Sequence, residues 1–156
     1  MKKSELIAFR GHILSFMIYL FLTIFWTLNE FGTVTLPRPL FYAVVTIAQT
    51  SLSFAAFCFA AYTLIRFGLP VARSAKFNLI LILPFLVVFV LFIVSLFTGV
   101  MFTITPENVF RPGKVYFMLG ICSMIYFALI IGVAIKRVFT SKSISARKDA
   151  TTMVVT

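Results

Sequence analysis

Charge is missing from four long stretches of this chain. Residues 11–29, 39–65, 77–106 and 115–135 contain no Lys, Arg, Asp or Glu. A bilayer core about 30 Å thick takes about 20 predominantly apolar residues in helical form. In lipid each unpaired backbone polar group costs several kcal/mol, so only helices and closed barrels cross. A barrel strand would alternate apolar and polar residues over about ten positions. The run Leu79–Val94 is apolar at almost every position. The pattern therefore predicts an all-α, polytopic membrane protein with four antiparallel transmembrane helices. The spans are expected near residues 11–31, 40–65, 77–103 and 115–136. They form one membrane domain over 1–140, followed by a basic tail over 141–156.

Composition agrees. The chain is 62% hydrophobic and 12% charged, with 20 Phe among 156 residues. A soluble domain is nearer 45–50% apolar and about 25% charged. A disordered segment and a soluble enzyme are both excluded on these grounds. Lys2 and Lys3 give the first stretch a signal-peptide-like start. Its apolar run is longer than a signal core, and no small-residue cleavage site precedes Trp26, Asn29 and Glu30, so a retained helix is expected.

The loops set an orientation. Lys2, Lys3, Arg10, Arg66, Arg73, Lys76, Lys136, Arg137, Lys142, Arg147 and Lys148 lie on one side of the four spans. Only Arg38, Arg111 and Lys114 lie on the other. The positive-inside rule then puts both termini in the cytoplasm. The net charge of +10 is explained by these flanks, and no nucleic-acid partner is expected. The bilayer is the expected partner, together with a homo-oligomer through the helices and an unknown small ligand.

Punctuation follows the same map. Pro37 and Pro39 bracket Arg38 in the first outer loop. Gly68 and Pro70 end the second span. Pro106, Pro112 and Gly113 shape the second outer loop. Pro84 sits inside the third span, where it removes one backbone bond. It marks either a hinge or a helix interruption that membranes tolerate.

No catalytic constellation is present. His12 is the sole histidine and is expected near the interface, without a partner for metal binding or nucleophilic catalysis. No ionisable group falls well inside a span, which argues against an ion-coupled transporter. No metal or cofactor is expected. Cys58 and Cys122 read as small buried residues. Thr46, Gln49 and Ser53 share one face of the second helix. That face suits packing against another span, or the lining of a pocket.

The remaining polar residues gather on the outer side. Trp26, Asn29 and Glu30 close the first span, and Arg38 opens the second. Thr98, Gly99, Thr103 and Thr105 end the third. Glu107, Asn108, Arg111, Gly113, Lys114 and Tyr116 precede the fourth. Such an acid–base ring would hold a small polar ligand, lock the loops together, or simply be solvated. Gly99 and Gly113 would let the chain turn without a Cβ clash. Asn108 would bond its own backbone, and Arg111 would pair with Glu30, Glu107 or an anion.

Several segments carry a resemblance: FWTLNEFG over Phe25–Gly32, the LPRPLFYAVV that follows it, and SLFTGVMFTITPENVFRPGKVYF over Ser95–Phe117. They resemble the multi-helix membrane region of bacterial GGDEF proteins, the diguanylate cyclases. The matching positions are Phe97, Thr98, Gly99, Asn108, Arg111, Gly113, Tyr116 and Phe117. The resemblance implies a membrane sensory module whose outer loop receives a stimulus. It also implies more spans and a cyclase domain; the tail ARKDATTMVVT is similar to the start of a further helix. These residues hold no GGDEF sequence, so the chain itself is expected not to be an enzyme. The alternatives are a small membrane protein that regulates or scaffolds a partner by helix packing, or a transporter subunit.

Overall fold

The computed structural model describes residues 3–67 and 74–140. Gly68, Pro70, Arg73 and the tail 141–156 lie outside the described residues. Four helices carry the fold: α1 (Lys3–Glu30), α2 (Arg38–Arg66), α3 (Ala75–Thr98) and α4 (Phe117–Thr140). Between α3 and α4 lies an antiparallel hairpin of β1 (Phe102–Ile104) and β2 (Phe110–Pro112). All four helices are long and apolar enough to cross a membrane. Among the described residues the fold is thus all-α with four candidate membrane spans, as the charge gaps predict.

The boundaries differ from the sequence expectation in two places. α1 starts at Lys3 rather than near residue 11, because Glu5 is buried against α2 instead of lying in a solvated leader. α3 stops at Thr98 rather than 103. Gly99 adopts φ 67°, and its N–H donates to Ser95 O at 2.9 Å, a left-handed C-terminal cap. Continuous apolarity through Val100, Met101 and Phe102 hid this stop. Val100 and Met101 lead into β1 and Phe102 opens it; all three are buried or half-buried, not in a further helical turn.

α1 packs chiefly along α2. Its three buried residues, Glu5, Ser15 and Asn29, are all polar. Ile7, Leu14, Met17, Phe21 and Ile24 face outward, each at least 57% exposed. A water-soluble helix has the opposite arrangement. The pattern suits a helix that shows its apolar side to lipid and its small and polar side to a neighbour. Close approach is visible at Gly11, where an added Cβ would lie 3.0 Å from Cys58 Sγ. At the end opposite the hairpin, Arg66 donates to the Glu5 carboxylate at 3.2 Å.

The core has two main parts. At the hairpin end, Phe41, Val45, Val88, Phe92, Met101, Phe102, Ile104, Leu119 and Cys122 pack together. Further along, Ala60, Leu64, Leu81, Tyr126 and Ile130 pack where α2, α3 and α4 meet. Thr46, Gln49 and Ser53 are buried within the bundle. Cys58 and Cys122 are free and buried.

Pro84 lies in the middle of α3. The Tyr126 hydroxyl of α4 accepts a hydrogen bond from Phe85 N–H at 3.1 Å and donates to Leu81 O at 2.8 Å. Those two backbone groups are four residues apart and would bond each other in an uninterrupted helix. The proline is therefore a docking point for the neighbouring helix.

Candidate functional site: the outer hairpin and its clasp

The hairpin is built from short-range chemistry. Gly99 turns the chain out of α3. The buried Ser95 hydroxyl then accepts from Met101 N–H at 3.0 Å and Phe102 N–H at 3.1 Å. In β1 and β2, Thr103 faces Arg111 and Ile104 faces Phe110. The connecting turn is Thr105–Pro106–Glu107–Asn108. Asn108 N–H donates to Thr105 O, and Thr105 N–H to Val109 O, both at 3.0 Å. Asn108 has φ 59°, a conformation that Asn tolerates better than most residues. The return to α4 is tight: Gly113 N–H donates to Met101 O at 2.7 Å. A Cβ at Gly113 would collide with the backbone oxygens of Val100 and Gly99.

Above this frame sits a clasp onto the other helix pair. Asn29 donates from Nδ2 to Asn108 O at 3.2 Å and accepts Leu36 N–H at 2.8 Å. Asn108 donates from its own Nδ2 to Leu36 O at 2.9 Å. Arg38 donates to Ile104 O at 2.7 Å, and Ile104 N–H donates to the Tyr42 hydroxyl at 3.0 Å. Both backbone groups of Ile104 are thus held by α2. The Arg38 guanidinium also stands 6.0 Å from the Tyr42 ring centre, at the edge of cation–π range.

An aromatic stack fills the space beneath. Trp26 and Phe110 have ring centres 4.7 Å apart, Phe102 and Phe110 5.6 Å, and Phe110 and Tyr116 5.5 Å. Trp26 Nε1 and Asn108 Oδ1 are buried and make no hydrogen bond among the described residues. They are two unsatisfied polar atoms at the one place where the loops converge.

Most sequence-predicted site residues meet here. Trp26, Asn29, Arg38, Asn108 and Tyr116 join the clasp or the stack, and Gly99 and Gly113 shape it. Thr98 is exposed, with its hydroxyl donating to Val94 O at 3.0 Å. Glu30, Glu107 and Arg111 are exposed. The expected acid–base ring does not form: among the described residues, none of these charges makes an ion pair. Arg38 is committed to a carbonyl, and exposed ion pairs are worth only about 0–1 kcal/mol. Asn108 bonds the first outer loop rather than its own backbone, its Nδ2 donating to Leu36 O. The Glu107 carboxyl is lowered below its ordinary range, first by the Thr105 hydroxyl and then by its own backbone N–H. The Arg111 and Arg38 charges add smaller effects.

Contributors that escaped the sequence reading are Ser95, Tyr42 and Leu36, together with Ile104 in the clasp and Phe102 and Phe110 in the stack. Ser95 had a signal, as the first hydroxyl after Asn78 in an otherwise apolar run. Tyr42 and Leu36 had none, since their roles depend on a fold that brings residues more than 60 positions apart together. No family model, curated protein or solved structure matches this chain.

Proposed function

We propose that this chain is a membrane-embedded signal-input module, similar in role to the input region of a cyclic-di-GMP signalling protein. One observation carries the reading. The hairpin that joins α3 to α4 is hydrogen-bonded to the other helix pair through Asn29, Leu36, Arg38 and Tyr42. A stimulus that moves the hairpin therefore moves two helix pairs relative to each other. Two discrete arrangements that a ligand binds differently are what such coupling requires. The unsatisfied Trp26 and Asn108 atoms are the natural contacts for a small polar ligand. In this reading the hairpin faces away from the cytoplasm of a bacterial inner membrane, both termini are cytoplasmic, and the module works as a homo-oligomer.

The test fuses the chain, after Thr156, to a diguanylate cyclase domain and measures cyclic-di-GMP. Arg38→Ala and Asn108→Ala should each change output by about fivefold or more, the scale of a coupling near 1 kcal/mol. Unchanged output from both, with normal helix content, overturns the reading. Orientation is tested separately with an impermeant thiol reagent on intact cells. Thr35→Cys should label and Ala75→Cys should resist; equal labelling would reject the topology.

A further inference from the structure

We propose that the groove between α1, α2 and α4 binds a lipid-soluble phenol or alcohol through a hydrogen bond to His12. The site lies away from the hairpin, and the proposal does not rest on the signalling role. The groove encloses about 340 Å³. That is the small end of the roughly 300–1,000 Å³ range of ligand pockets. Its walls include Phe16 from α1, Ala56 and Phe59 from α2, and Tyr126 and Phe127 from α4. It is partly open, and the helices around it show their apolar sides outward, so entry is from the lipid.

The polar groups of the lining decide the chemistry. The Ser123 hydroxyl already donates to Leu119 O at 2.9 Å. The Tyr126 hydroxyl donates to Leu81 O and accepts Phe85 N–H. His12 Nδ1 is 3.0 Å from Ala55 O. A carbonyl oxygen only accepts, so Nδ1 carries the hydrogen. In the neutral ring Nε2 is then an acceptor. It makes no hydrogen bond among the described residues. Phe59 and Phe16 hold the ring, with centres 5.0 and 6.2 Å away.

Depth agrees with a lipid-borne ligand. The α2 residues of the lining, Leu52 to Phe59, lie at least seven residues from either end of that span, about 10 Å at 1.5 Å per residue. A ligand there sits inside the apolar layer, where an unpaired acceptor is costly. A hydroxyl on a compact hydrophobe satisfies that acceptor and fills the walls. A phospholipid acyl chain would fill the walls alone.

The experiment uses the full chain in lipid nanodiscs with ¹⁵N-labelled histidine. His12 is the one histidine, so it gives a single pair of ring signals. The probes are 4-octylphenol and 4-octylanisole, its methyl ether, which has no hydrogen to donate. The phenol should shift the Nε2 signal saturably and bind about tenfold more tightly than the ether, the scale of one hydrogen bond. His12→Phe should bring the two affinities together, and Ala56→Phe should remove saturable binding of both. Equal affinity of phenol and ether for the unaltered chain overturns the proposal and leaves a groove for acyl chains. A shift that never saturates overturns it as well. That comparison needs no variant, so it decides even where a substitution fails to fold.

Discussion

Tyr126 closes the gap that Pro84 leaves in the neighbouring helix. Its hydroxyl stands between Leu81 O, to which it donates, and Phe85 N–H, from which it accepts. A proline in a span usually needs some outside group to satisfy the freed backbone. Here that group belongs to α4, so a local fault in α3 becomes a specific tie between two helices. The same tyrosine lines the groove beside His12. A ligand in the groove would thus touch the residue that locks α3 to α4.

Removing the hydroxyl leaves a donor and an acceptor unsatisfied in an apolar interior. Tyr126→Phe should therefore destabilise the protein by about 1–2 kcal/mol. In a Pro84→Ala background the ladder of α3 can close by itself, and the same change should cost less. The double-mutant cycle, read by thermal unfolding in detergent, should show a coupling of about 1 kcal/mol. Additive effects would mean that the hydroxyl and the proline act independently.

The clasp makes a similar claim at the hairpin. Tyr42→Phe leaves Ile104 N–H without its partner and should cost about 1 kcal/mol. Trp26 is the sole tryptophan and stacks on Phe110, so its fluorescence reports directly on the hairpin seat. The Tyr42→Phe emission should shift toward that of a solvated indole, while helix content by circular dichroism stays constant. An unchanged spectrum and midpoint would show that the Tyr42 hydroxyl does not help to hold β1.

The sequence showed the spans well and the clasp only in outline. Four charge gaps located four helices because lipid imposes one strong rule on every residue in a span. The stop of α3 was harder to place. Phe102 and Ile104 are as apolar as the helix before them, and a β-strand core and a membrane span use the same residues. Asn29, Arg38 and Asn108 were picked out as polar residues at span ends. Their partners were not, because Ile104 and Leu36 contribute only backbone groups, and any residue type carries those. The groove is also hidden in the sequence: a lone histidine near a span end suggests an interfacial residue, and nothing in the sequence brings Ala55 O beside it.

Glu107 gives the hairpin turn a pH response. Its carboxyl is lowered by the Thr105 hydroxyl first, so the folded turn favours the ionised form. A lowered carboxyl stabilises the turn above its unfolded value and loses that contribution as pH falls through the folded one. The turn should therefore loosen below about pH 4, the ordinary range of a glutamate. Amide hydrogen exchange at Asn108 and Val109 should speed up there. Glu107→Gln should remove the pH step; a step that persists in this variant must come from another group.

The last prediction separates the glycines of the hairpin exit from those of α4. At Gly113 an added methyl meets backbone oxygens of Val100 and Gly99, and backbone cannot rotate away as a side chain can. The neighbouring bond from Gly113 N–H to Met101 O holds the two segments together, so relief means parting the hairpin from the start of α4. Overpacking of this kind costs about 1–3 kcal/mol. Gly120 and Gly132 lie within α4, and an added Cβ at either meets nothing within 4 Å. Alanine there should be neutral, or stabilising by up to about 1 kcal/mol through helix propensity. Thermal midpoints of Gly113→Ala, Gly120→Ala and Gly132→Ala in one detergent should therefore fall in two groups, with Gly113→Ala alone well below the parent. Trp26 emission should shift only in that variant, since the stack on Phe110 depends on the seat of the hairpin. A Gly113→Ala protein with the parent's midpoint and emission would show that the exit from the hairpin has more room than its backbone contacts imply.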